Sequence, residues 1–229
     1  MRADAIDWPA VLAGAAWFHF TGITPALSAN AASATAAAIA AAKAAGARVS
    51  VDLNFRRKLW TEARAREVMT PLVRNVDLVI ANEEDLQSVL GVEVRGADVI
   101  AGQLDAGAFE DAARTVARDL SVGRVAITLR ESSSASDNGW SALLWDAGGG
   151  VLHRSQAYAI RIVDRIGGGD SFAAGLIYGL VTDRAPADAL RFAVAASALK
   201  HTIPGDFNRV TVDEVDRLVA GDGSGRVQR

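Results

Sequence analysis

The chain has 229 residues, half of them hydrophobic and 22% charged, with a formal net charge of −3. That is enough apolar material for a buried core and too much for wholesale disorder, and it supplies no basic face for a nucleic-acid partner. There is no cysteine, which excludes disulfides, thiolate zinc sites and cysteine nucleophiles and is compatible with a reducing cytoplasm.

In chain order, the apolar run Ala15–Phe20 reads as a buried strand ending at Thr21-Gly22. Ser28 can cap the Ala-rich helix that follows and Gly46 can end it. That run is too weakly apolar for a membrane span, so no membrane partner is expected. Arg48–Leu53 is the next strand, Thr61–Val73 a helix and Asp77–Ala81 a strand. Asn82 then caps an acidic helix opening, Glu83-Glu84-Asp85, where negative charge suits the helix dipole. Gly91–Gly107 reads as an irregular connection, followed by a helix at Phe109–Leu120 and a strand at Val125–Leu129.

Such strand–helix alternation predicts an α/β fold with a mostly parallel sheet covered by helices on both faces. Trp140–Trp145 and Val151–Tyr158, joined by Asp-Ala-Gly-Gly-Gly, predict an antiparallel hairpin towards the C-terminus. Helices at Gly169–Val181, Pro186–Lys200 and Val212–Ala220 follow. Residues 1–220 are expected to form one domain, with Gly221–Arg229 a loose tail. Gly175-x-x-x-Gly179 reads as a close packing face of its helix.

Ligands of open α/β sheets bind outside the C-terminal strand ends. That rule points to Asn54–Arg56, Asn82–Asp85, Arg130–Gly139 and Ile166–Asp170. The richest stretch is Asp164-Arg-Ile-Gly167-Gly168-Gly169-Asp170-Ser171-Phe172, in which three glycines lead into a helix. Glycines allow positive φ and close approach, so several N–H groups can face one anion at the positive helix end. Asp170 beside such a cradle suits a carboxylate that activates a hydroxyl for attack on phosphorus. It equally suits an ordinary N-cap on a tight turn, and residue physics leaves both readings open. The P-loop pattern is absent and the dinucleotide pattern lacks its third glycine. His19, His153 and His201 show no metal-ligand spacing.

The stretch Asp164–Gly179 resembles the signature of the ribokinase-like (PfkB) carbohydrate kinases, with Gly168 where an alanine is usual. Trp17–Pro25, Val51–Arg56, Lys58-Leu-Trp60, Thr128–Ser132 and Ala195–Asn208 resemble the 2-keto-3-deoxygluconate kinase branch of that family. The resemblance implies a ribokinase-like fold and ATP-dependent phosphorylation of a sugar hydroxyl, foremost that of 2-keto-3-deoxygluconate. A fructokinase- or ribokinase-type substrate and a non-catalytic nucleotide- or partner-binding module are the alternatives.

By position, the resemblance implies that Asp170 is the catalytic base and Gly167, Gly168 and Gly169 form the anion hole. Asn54 and Arg56 are implied in substrate binding, beside Asp52, a candidate loop support. Asn82, Thr128, Arg130, Gly139, His201 and Asn208 are implied around the nucleotide, together with Gly167 and Gly169. Asp85 and Glu84 are implied to position Mg²⁺ through water. Asp164 and the Ile166 carbonyl match positions that hold a monovalent cation in some relatives, so K⁺ is an optional cofactor beside ATP and Mg²⁺. Family members carry N-terminal strands and a lid ahead of the Trp8–Phe20 region that this sequence lacks, which leaves the activity of the chain open. Partners are a sugar acid and ATP, and a homo-oligomer is compatible.

Overall fold

A computed structural model describes residues 3–94, 106–132, 134 and 136–221. The described strands are β1 Trp17–Thr21, β2 Arg48–Asp52, β3 Leu78–Ala81, β4 Arg124–Ser132, β5 Asp137–Asp146, β6 Val151–Arg154 and β7 Tyr158–Arg161. The described helices are α1 Trp8–Val11, α2 Ile23–Ala26, α3 Ala29–Ala44, α4 Glu62–Val73, α5 Glu83–Asp85, α6 Ala106–Leu120, α7 Gly168–Val181, α8 Pro186–Lys200 and α9 Val212–Val219. Strand order is β1-β2-β3-β4-β5-β6, with β7 also paired to β5, which makes a mixed sheet of seven strands. The described residues form two compact units, one holding 3–94, 106–128 and 144–152, the other 129–132, 134, 136–143 and 153–221.

In the first unit β1, β2 and β3 pair in parallel, with Phe18 opposite Val49 and Val51 opposite Val79, and β3 pairs in parallel with the start of β4. Val49, Val51, Val79, Val125 and Ile127 are wholly buried, as strands covered on both sides require. Buried Ser50 satisfies two ring nitrogens of β1, accepting from Trp17 Nε1 and bonding His19 Nδ1, each at 2.8 Å. Ser28 caps α3, accepting from the Ala31 amide, and Thr61 caps α4 in the same way from Arg64. Each such cap contributes about 1 kcal/mol. The buried stripe of α3 is Ala31, Ala34, Ala38, Ile39 and Ala42, small enough for the helix to lie close against its neighbours. A π-helical turn, Leu86–Leu90, follows α5 and ends at left-handed Gly91, a feature the sequence pattern did not announce.

The predicted hairpin changes in extent. Val151–Tyr158 is not one strand: β6 stops at Arg154, and Tyr158 opens β7, which pairs antiparallel with the first half of β5, Trp140 opposite Tyr158. Ser155 explains the break. Its hydroxyl accepts from the Ala142 amide and donates to the Gln156 carbonyl, turning the chain away from the ladder. α7 and α8 pack with almost no side chain between them. A Cβ on Gly175 would lie 2.9 Å from Ala193 Cα, and one on Gly179 2.7 Å from Ala189 Cα. α8 continues into a small core, Phe192, Ala195 and Ala196 with Val215 of α9. The expected tail at 222–229 and most of the connection 91–107 lie outside the described residues. No described helix is long and apolar enough to cross a membrane.

Candidate functional site

The second unit carries the glycine turn. Gly167 is left-handed, φ +78°, and forms the N-cap of α7. A side chain there is excluded twice over: a Cβ would lie 2.2 Å from the Asp206 carbonyl oxygen and 3.2 Å from Lys200 Cε. At Gly168 a Cβ would meet the His201 ring at 2.5 Å. The turn is braced from below, since Ser197 Oγ of α8 donates to the Gly168 carbonyl at 2.8 Å. The Gly168 amide donates back to Arg165 and that of Ser171 to Gly167. The amides of Gly169 and Asp170, in the first turn of α7, have no backbone partner among the described residues. Both residues are exposed. The outcome is a pair of free donors at a positive helix end, with an accessible carboxylate on the same turn.

Asp164 clips two loops together. Its carboxylate accepts from the Ile166 amide at 3.0 Å and the Gly205 amide at 2.9 Å. Those two bonds, first Ile166 and then Gly205, hold its carboxyl below the usual range. Ile166 itself is exposed. His201 is buried beside Trp140, ring centroids 4.9 Å apart. Burial pushes its pKa down, and the charges of Lys200, Arg165 and Arg130 push the same way against the bond to Ser197. A carbonyl can only accept, so Nδ1–H donates to the Ser197 carbonyl at 2.7 Å. Asn208 donates to Ser171 Oγ at 2.6 Å and to the Ala196 carbonyl, and accepts from the Val210 amide. His201 and Asn208, read from the sequence as nucleotide contacts, are thus engaged in supporting α7. Arg130 is exposed, and Gly139 faces Glu131, whose Cβ would be 3.2 Å from an added side chain.

The first unit carries the other candidates at the C-terminal ends of its parallel strands. Asn54 takes a left-handed φ of +43° and donates from Nδ2 to Thr21 Oγ1 at 3.1 Å. Asp52 opposes Thr21 in register, and its carbonyl accepts from the Gly22 amide. Arg56 is exposed, with one guanidinium nitrogen donating to the Phe55 carbonyl at 2.9 Å. Asn82 and Asp85 form a capping box: Asn82 Oδ1 accepts from the Asp85 amide and Asp85 Oδ2 from the Asn82 amide. Asp85 Oδ1 also accepts from the Phe55 amide at 2.8 Å. This carboxylate is 4% exposed, so it links the loop after β2 to the loop after β3. Desolvation raises its pKa, and the bonds from Phe55 and Asn82 oppose that rise. Glu84 is exposed and pairs with Arg57 at 2.9 Å. Thr128 donates to the Ala81 carbonyl at 3.4 Å. Among the described residues no cluster of three His, Asp or Glu side chains could hold a metal ion by itself. An Mg²⁺ brought by a polyphosphate needs only one or two protein carboxylates, often through water, which exposed Glu84 can supply.

Sequence reasoning gave no role to Ser197, Lys200, Trp140 and Thr21. Ser197 and His201 lie four apart on α8, so their shared face was visible in principle. The contacts of Trp140 and Thr21 come from distant parts of the chain.

The sequence profile of the pfkB family carbohydrate kinases matches residues 3–209. The chain belongs to this family. A 2-dehydro-3-deoxygalactonokinase from Haloferax volcanii is 31% identical over 215 residues, 94% of this chain and 60% of the relative. The crystal structure of 2-dehydro-3-deoxygluconokinase from Thermotoga maritima superposes with a TM-score of 0.90 and 43% identity, covering 96% of this chain and 65% of that one. A PfkB family carbohydrate kinase from Listeria grayi follows at 29% identity and a TM-score of 0.83, covering 94% and 63%. The pfkB chain described here thus spans somewhat under two thirds of the length of these relatives.

Proposed function

We propose that the protein containing this chain transfers the γ-phosphoryl group of ATP to a hydroxyl of a 2-keto-3-deoxy sugar acid, 2-keto-3-deoxygluconate foremost. The observation that carries the reading is the first turn of α7, where exposed Asp170 stands with the unpartnered amides of Gly169 and Asp170. Asp170 takes the proton of the attacking hydroxyl, the new O–P bond forms at the γ-phosphorus, and ADP departs with the electron pair of the broken bond. The amides of the turn hold charge on the moving phosphoryl group, donors fixed in advance at the place where charge develops. Mg²⁺ brought with ATP would neutralise phosphate charge, and Glu84 and Asp85 are the residues that would hold it through water. Arg56 offers a free edge of its guanidinium to a carboxylate or phosphate. The sugar-acid class is supported by the named activities of the Thermotoga and Haloferax relatives, 43% and 31% identical.

ADP release by the purified chain with Mg-ATP tests this, with and without 2-keto-3-deoxygluconate. Asp170→Asn is expected to lower sugar-dependent release by about 10²–10⁴-fold at unchanged folding. An undiminished rate in that variant would reject Asp170 as the base. Release with fructose or ribose but not the sugar acid would move the substrate. Nucleotide binding without any release would favour a binding module.

A further inference from the structure

Lys200, the last residue of α8, is 0% exposed. Its ammonium donates to the Ile203 carbonyl at 3.2 Å, and among the described residues it forms no ion pair. A buried ammonium is costly unless opposite charge returns part of the lost hydration, and the carboxylate it acts on here is Asp164, which is bonded to amides and not to Lys200. An apolar side chain of the same length would fill the space without that cost.

The surroundings of Lys200 are the two loops that shape the start of α7. Lys200 Cε lies 3.2 Å from where a Gly167 Cβ would stand, so the stem runs against the left-handed residue of the turn. The Asp206 carbonyl presses on the same spot, and Asp164 ties Ile166 to Gly205. The other groups facing this region are His201, packed against Trp140 and bonded to Ser197, and the cations Arg130 and Arg165. The acidic residues of the region are Asp164, whose oxygens are both engaged, Asp170 on the turn itself and Asp206 in the segment beside Gly167.

We propose that Lys200 is a positioning residue for anion binding: its buried ammonium holds the Ile203–Asp206 segment against Gly167 and supplies a fixed positive charge beside the turn that opens α7. This rests on the reading that the turn takes the phosphates of ATP. Its particular content is that a side chain no ligand need touch sets the phosphate affinity of the turn.

Calorimetric binding of ADP and of adenosine to the full chain separates this role from a merely structural one. Lys200→Met keeps length and removes charge. Its thermal melt is expected to match the parent, with ADP affinity reduced about tenfold or more and adenosine affinity unchanged. In Lys200→Ala, propylammonium is expected to restore ADP binding where propanol does not. If Lys200→Met does not fold, Lys200→Gln serves as the neutral variant. Parental ADP affinity in the neutral variant overturns the proposal, as does an equal loss for ADP and adenosine. A parent that binds ADP without phosphorylating any sugar leaves this proposal standing and removes the proposed function. A parent that binds ADP no better than adenosine removes both.

Discussion

The strand ends of the first unit and the glycine turn of the second hold their polar groups in opposite ways. In the first, a side chain organises backbone: buried Asp85 gathers the amides of Phe55 and Asn82. In the second, backbone is left free for a ligand, and side chains beneath it, Ser197, Asp164 and Asn208, hold the carbonyls, amides and hydroxyl around it in place. The first arrangement tolerates a range of backbone shapes and depends on one carboxylate. The second depends on the absence of side chains at defined points. Damage should accordingly look different in the two units.

The sharpest test of that contrast is Gly167→Ala. It combines a positive φ with a Cβ 2.2 Å from a carbonyl oxygen that belongs to backbone. A loss of about 4 kcal/mol in a denaturant melt is expected. Gly205→Ala is the control: its φ is +80° but the space is open, so only about 1 kcal/mol should go. Equal losses would show that conformation alone, and not the close approach of Asp206, demands glycine at the turn. Next comes Asp85→Ala, which strands two amides in the first unit. About 3 kcal/mol is expected in the same melt, from the loss of acceptors for buried donors. A loss below about 1 kcal/mol would mean that water replaces the carboxylate and that the link between loops is dispensable.

Ser197→Ala removes one bond to the Gly168 carbonyl and should cost about 1 kcal/mol. Its informative readout is ADP affinity, expected to fall together with stability if the brace beneath the turn matters to the ligand. The smallest effect is that of acid on His201. Its folded pKa is depressed by burial, so the unfolded chain takes up the proton first. Stability from the neutral ring is complete above the ordinary histidine value of about 6.5 and is lost as pH falls through the folded value, by at most about 1.4 kcal/mol per pH unit. His201→Asn should flatten this slope between pH 6.5 and 5. A slope unchanged by that substitution would place the titration elsewhere.

Much of this was readable before any coordinates, where the signal is local. Ser28 and Asn82 stand at the caps their hydroxyl and amide oxygens suggest, and the glycine run leads into a helix, which begins at Gly168. The parallel strands announced themselves as short apolar runs. What stayed hidden depends on distant partners. Nothing near Tyr158 states that it opens a third strand on β5, since Trp140 pairs with it from 18 residues away. Asp85 looked like a helix opener with a metal within reach, whereas its burial comes from Phe55, 30 residues earlier. Lys200 carried no signal beyond ending a helix, and its full burial involves Gly167, 33 residues earlier, and the Ile203 carbonyl.

The bare contact of α7 and α8 has a consequence for motion. Gly175 and Gly179 bring the backbone of one helix against Ala193 and Ala189 of the other, with no side chain between them to change rotamer. Such a pair cannot loosen by degrees, because separating the helices opens the whole seam at once. Amide hydrogens along both helices should therefore exchange with solvent as one cooperative block, and Asp170 rides on the end of that block.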